Sequence, residues 1–294
     1  MSNLTFRIGM SEPHTHLYDV AVEVKAPGAN LVFEMPAWTP GSYLIREYSR
    51  HVQNVAASDS QGTELPWRKV GKASWEVDCA NSDAVTLSYR VYAHDLTVRT
   101  SHLDLSHGYF NGANVFACPR GYEGSPSVLI VEPAFDWRVS VALPSVGKNQ
   151  FAVENFDQLV DSPVECGTHE EVVFDVASVP HRWASWGDDF DVTPFVDDIR
   201  AVIDKEVELF GELPPDVDDY LFICHVQERR NGGLEHKKSQ TLGIDRRTST
   251  HARSYEDFIT LVAHEYFHVW NVKRIRAEGL GPFDYSQEAY TPLL

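Results

Sequence analysis

The sequence predicts an α+β chain, with an all-β, sandwich-like unit over residues 1–180 and a mixed unit of helices and strands over residues 181–294. Three observations lead there. Short apolar or alternating runs, separated by turns rich in Pro, Gly and Asn, recur through the first unit without one helix-length periodic segment. The apolar spacing then changes to three and four between Phe195 and Phe210. Finally, the stretch Ser254–Asn271 runs without Pro or Gly and contains H-E-x-x-H.

In order, strands are expected at Leu4–Met10, Leu17–Val24, Asn30–Met35, Ser74–Val77, Ala84–Tyr92, Ser127–Val131, Arg138–Leu143 and Glu171–Val176. Strands at this spacing, with no crossover helices between them, are most economically stacked as a sandwich. Met35–Tyr48 presses Pro36, Trp38, Pro40, Gly41, Tyr43 and Tyr48 into one short loop. Such a loop is stiff; it reads as packing one sheet on the other, or else as a wall of a substrate cleft. His14, His16, His94, His102 and His107 sit in strand or loop contexts with no matching carboxylate spacing, and are expected not to bind metal.

Past residue 180, Thr193 followed by Pro194 reads as the cap and first position of the helix Phe195–Phe210, which Gly211 and Pro214–Pro215 stop. Tyr220–Val226 is an apolar run and reads as a buried strand. A polar loop, Gln227–Asn231, leads to Gly232–His236 and then to Ser239–Ile244. The adjacent Gly232 and Gly233 allow another backbone to come close, and a plain hairpin turn reads equally well. Ser254, with Asp257 three residues on, reads as the capping box of the last helix. That helix is apolar on nearly every side, which suits burial.

A length of 294 residues is enough for two domains with cores of their own. With 25 basic against 43 acidic residues the net charge is -18, which repels nucleic-acid phosphates and anionic membrane surfaces. Neither class of partner is expected. The N-terminus lacks a basic head followed by an apolar run, and no segment is long and apolar enough to span a bilayer, so a cytoplasmic protein is expected. Cys79, Cys118, Cys166 and Cys224 are widely spaced and read as reduced core thiols. Nothing in the sequence sets the oligomeric state.

The chemistry gathers in the last helix. His264 and His268 are four apart, so on a helix they share one face and can hold one zinc ion, while Glu265 can take a proton from a zinc-bound water. Burying two imidazoles and a carboxylate costs several kcal/mol unless they find partners, and zinc would satisfy all three. Among thirteen histidines the pattern can also arise by chance.

H-E-Y-F-H-V-W-N-V-K-R-I-R, His264–Arg276, followed by Gly279–Tyr285, resembles the catalytic stretch of the glycyl aminopeptidases that carry a PDZ domain. M-P-A-W-T-P-G-S-Y resembles that family's N-terminal β-domain signature, and Gly232–His236 sits where related aminopeptidases have a Gly-x-Met-Glu-Asn-type strand. The resemblance implies that residues 1–180 form the N-terminal β domain and residues 181–294 the first, incomplete part of a thermolysin-like zinc peptidase domain. It implies Zn2+ held by His264 and His268, Glu265 as general base, and a peptide substrate. The peptide's α-ammonium would meet Glu235, and backbone near Gly232 and Gly233 would hold its extended chain. Small first residues, glycine or alanine, are implied to be preferred.

The same resemblance implies a third ligand, a glutamate in a Trp-x-x-Glu-Gly stretch past Leu294. Thr291–Pro292 reads as the cap of the helix that would carry it, and the 294-residue chain is expected to be inactive or nearly so. Glu288, twenty residues after His268, is the one candidate within the chain, and a surface role is expected for it. Two other readings stand beside the aminopeptidase: a zinc endopeptidase, with Glu235 turned away from the metal, and a metal-free peptide-binding module.

Overall fold

The computed structural model describes residues 3–80, 82–187, 190–228, 232–278 and 280–291. Alternation organises the first unit. Along Leu17–Lys25 every second side chain is buried, and this strand pairs antiparallel with Ala84–Tyr92 from Leu17 opposite Tyr92 to Lys25 opposite Ala84. The pair lies within a seven-stranded sheet ordered Ser145–Gly147, Gln150–Val153, Ser127–Glu132, Leu4–Gly9, Leu17–Lys25, Ala84–Tyr92, Val52–Asp59. Two four-stranded sheets complete the unit. One is ordered Cys118–Pro119, Asn30–Glu34, Ser74–Asp78, Trp67–Lys69, and the other Arg138–Ser140, Val164–Gly167, His107–Phe110, His102–Leu103. Side chains from all three, among them Phe6, Val22, Phe33, Trp75, Phe110 and Val164, meet in one apolar core. Two short helices, Gly112–Val115 and Phe156–Val160, interrupt the strands, each begun by an asparagine (Asn111, Asn155) whose side chain accepts a backbone N–H.

The second unit is built on a five-stranded sheet ordered Glu171–Val176, Val179–Trp186, Tyr220–Gln227, Ser239–Asp245, Gly232–Glu235. Its three central strands are parallel and its edges antiparallel. The helix Val196–Phe210 makes the crossover between Val179–Trp186 and Tyr220–Gln227, and Gly211 ends it with a left-handed φ of 86°. All four cysteines are buried and free.

Three expectations need correction. The strand Glu171–Val176, placed in the first unit, belongs to the second sheet, so the change of sheet falls between Gly167 and Glu171 rather than at residue 180. Its cause is a two-residue turn, Ala177 and Ser178, both at positive φ, which folds the strand back onto its sequence neighbour Val179–Trp186. Thr193 does not cap the first long helix; it opens a 3-10 turn, Thr193–Phe195, and its N–H bonds to Asp191. Ser254 likewise caps nothing. The final helix already begins at Ala252, because the turn at Arg247–His251 runs into it through the Tyr255 N–H to His251 carbonyl bond.

The two units meet along the strand His107–Phe110. Tyr109 packs with Ala184, Leu221 and Ile223 of the second sheet, and its hydroxyl donates to Thr241 Oγ1 at 3.1 Å. Among the described residues no helix is long and apolar enough to cross a membrane.

Candidate active site

Spacing explains how the last helix sits. In Ala252–Phe267, Phe258, Val262 and Tyr266 recur every fourth residue and are buried against the five-stranded sheet, joined by Val269 and Trp270 just past the helix end. The helix is therefore buried on one face, not all round as its composition suggested. His264 is exposed, His268 half-buried and Glu265 buried.

The helix ends at Phe267, short of Asn271, yet His268 keeps helical angles (φ -64°, ψ -15°) and so stays one turn on from His264. The two rings stand perpendicular with centroids 4.9 Å apart, and the ligand atoms of His264, Glu265 and His268 lie within 4.8 Å of one another. His268 Nδ1 donates to the Asn271 carbonyl, which can only accept, so the lone pair is on Nε2. A fixed tautomer with a free Nε2, an exposed second imidazole and a carboxyl between them is a donor set that fits zinc. Glu288 is exposed and joins no such group among the described residues, and Gln227–Asn231, Gly279 and the Thr291–Pro292 cap fall wholly or partly outside them.

Glu265 is the chemically unusual group. Burial pushes its carboxyl up to about 8, the nearby charge of Glu235 adds to the rise, and Arg99 works against it. A carboxyl held near neutral pH beside two imidazoles can take up and release a proton under working conditions. The backbone of Gly233 makes room for it: a Cβ there would lie 2.2 Å from Glu265 Oε1. The close approach that the paired glycines suggested is real, but the visitor is this carboxyl and not another backbone. At Gly232 a Cβ would meet nothing within 4 Å.

Glu235 ends the edge strand Gly232–Glu235 and is buried. The Met35–Tyr48 loop closes over it. Gly41, at φ +85°, approaches so closely that a Cβ would lie 2.8 Å from Glu235 Oε2. The loop is therefore a wall beside the site as well as a packed element, with Trp38 fully buried against Phe283 and Tyr285. It also borders a cavity of about 280 Å³ lined in part by Pro40, Tyr43, Asp161 and Lys273.

Arg99 and Asp161 escaped the sequence reading because they reach the site from far along the chain, while Lys273 and Tyr43 lie in stretches that it named without giving those two side chains a role. Arg99 donates to the Gly233 carbonyl at 3.4 Å. Asp161 accepts from Lys273 Nζ at 2.7 Å and from the Lys237 N–H at 2.9 Å, and lies 3.2 Å from His236 Nδ1. Burial works against the charge on Lys273, and the Asp161 and Glu235 carboxylates outweigh it, raising its pKa. Tyr43 lies within reach of the same charges.

A second group of possible ligands, His107, Glu165 and His225, is fully buried at the junction of the two units. Here the imidazole nitrogens already bond the carboxylate, at 2.8 and 2.9 Å, and Trp186 stacks on His107 with centroids 3.9 Å apart. The carboxylate partner of His107 lies fifty-eight residues away in the chain, so no local spacing announced it.

Residues 5–168 match the family described as Peptidase M61 N-terminal domain, and residues 257–294 match M61 glycyl aminopeptidase. No curated protein matches the sequence. A crystal structure described as an aminopeptidase N family protein from Idiomarina loihiensis is 29% identical, with a TM-score of 0.93 over 98% of this chain and 51% of that one. This chain thus spans about half the length of that relative. An M1 zinc metallopeptidase from Deinococcus radiodurans shares the fold, with a TM-score of 0.51, 13% identity, and 89% of this chain and 63% of that one covered. The family models cover the N-terminal β domain and most of the histidine helix, the mixed sheet between them lies within the structural match, and the chain belongs to the M61 glycyl aminopeptidase family.

Proposed function

We propose that this chain carries the metal-binding and amine-binding parts of a zinc aminopeptidase that removes a small N-terminal residue, glycine or alanine, from peptides. One observation carries the reading: the edge strand Gly232–Glu235 lies against the histidine helix, with the Gly233 backbone pressed on the Glu265 carboxyl and the buried acid Glu235 two residues further along the same strand. His264 and His268 would hold the ion. When bound, zinc supplies the Lewis acidity that acidifies water and polarises a carbonyl. Glu265 accepts the proton of the attacking water and hands it to the departing amine. Glu235 binds the α-ammonium of the substrate. An extended peptide lies along the open side of Gly232–Glu235, beyond which no strand lies among the described residues. The Gly41 backbone, pressed on Glu235, leaves little room for a large first side chain, in keeping with glycine or alanine.

An endopeptidase would turn Glu235 away from the metal helix, and the burial of Glu235 on the strand that packs against Glu265 argues against that. The test is calorimetric titration of zinc-supplemented protein with a glycyl peptide and its N-acetyl counterpart. Glu235→Gln should weaken the free-amine peptide about tenfold or more, since a lost hydrogen bond to a charged group is worth roughly 1.5–3 kcal/mol, and leave the acetylated one unchanged. Wild-type protein that binds both peptides equally would contradict the reading.

A further inference from the structure

We propose that Asp161, a residue of the N-terminal β domain, is a positioning residue for amine recognition: its carboxylate draws Lys273 away from Glu235 and pins the turn that follows Glu235. The inference rests on Glu235 as the amine anchor and adds the device that keeps this anchor available.

Three parts of the site converge on this one carboxylate. Lys273, past the histidine helix, gives its ammonium to Asp161 Oδ1 at 2.7 Å. His236 and Lys237, the two residues directly after Glu235, contribute an imidazole Nδ1 at 3.2 Å and a backbone N–H at 2.9 Å. The turn itself is closed by the His236 N–H to Ser239 carbonyl bond, so tethering it fixes the end of the strand that carries Glu235. Lys273 is almost wholly buried and close enough to Glu235 to feel its charge. A buried ammonium in the field of two carboxylates goes to whichever holds it better, and here Asp161 offers the hydrogen bond.

The charge balance explains why this matters. Asp161 and Glu235 carry two negative charges and Lys273 one positive charge, so the group keeps one negative charge for an incoming ammonium. If Asp161 were neutral, Lys273 would turn to Glu235 and cancel that charge. Substrate amine and lysine would then compete for one carboxylate. Asp161 is thus a contribution of the β domain to a recognition event in the peptidase domain, made without touching the substrate.

The experiment uses the same titration with glycyl and N-acetylglycyl peptides on zinc-supplemented protein, comparing wild type, Asp161→Asn, Lys273→Met and the double variant, with melting temperatures measured alongside. Asp161→Asn should weaken the glycyl peptide by about tenfold, the worth of one charge-assisted hydrogen bond, with the acetylated peptide unaffected. The double variant should regain most of that loss, because the competing ammonium is gone. A merely structural role predicts a double variant no better than Asp161→Asn. Overturning results are unchanged glycyl binding in Asp161→Asn, or no recovery in the double variant at matched melting temperature. If Glu235→Gln discriminates between the peptides while Asp161→Asn does not, this inference alone falls. If Glu235→Gln does not discriminate, the amine anchor falls and this inference with it.

Discussion

Metal-free protein is expected to lose stability as pH rises from 5 to 9, and Glu265→Gln is expected to remove much of that loss. The Glu265 carboxyl stands at about 8 in the folded chain, chiefly through burial, against an ordinary value of 4.5. Its folded value is the higher one, so its contribution is fully present below the unfolded value and disappears as pH climbs through 8. At about 1.4 kcal/mol per pKa unit, the loss is of the order of a few kcal/mol. Burial also holds His225 and His102 below their usual value, which works in the opposite sense and adds stability as pH rises towards the ordinary histidine value. The difference between wild type and Glu265→Gln isolates the one carboxyl. Chemical denaturation across that pH range checks it, and parallel curves for the two proteins would refute it. A cation held by His264 and His268 would reverse the balance at Glu265, so zinc should recover stability most at the alkaline end.

Gly233 and its neighbour give the second large effect with a control built in. A Cβ at Gly233 would lie 2.2 Å from Glu265 Oε1 and 2.4 Å from its Cγ, whereas at Gly232 it would meet nothing within 4 Å. Gly233→Ala must push Glu265 from its place or lift the edge strand, at a cost typical of overpacking, about 1–3 kcal/mol or more. Gly232→Ala should fall within about 0.5 kcal/mol of wild type, as an open position does. Denaturation midpoints compare the two, and equal losses would contradict the packing described here.

Local chemistry was legible in the sequence where it depends on local spacing. His264, Glu265 and His268 lie within one stretch of helix, and the apolar residues at 258, 262 and 266 fix which way they face. The buried strand Tyr220–Gln227 announced itself as an apolar run. Contacts made across the chain left no such trace. Glu235 came into view only through resemblance. Asp161, Arg99 and Gly41 act on the strand Gly232–Glu235 and the turn after it from 75 or more residues away in the chain, so no period or motif ties them together. The stiffness of Met35–Tyr48 could be read from its prolines, but its closure over Glu235 could not. Cap signals misled at Thr193 and Ser254 because neighbouring turns already satisfied the first backbone donors. The strand Glu171–Val176 was assigned to the wrong sheet because Ala177–Ser178, with neither Gly nor Asn, carries no obvious hairpin signature.

The central claim is that the histidine helix holds zinc, and its most direct test is zinc content by elemental analysis after dialysis, in wild type and in the variant combining His264→Ala with His268→Ala. Close to one zinc per wild-type chain, lost in the double variant, is the predicted result. Wild-type protein without zinc would favour a metal-free peptide-binding module. Zinc retained by the double variant would move the metal to the buried group of His107, Glu165 and His225 and contradict the account.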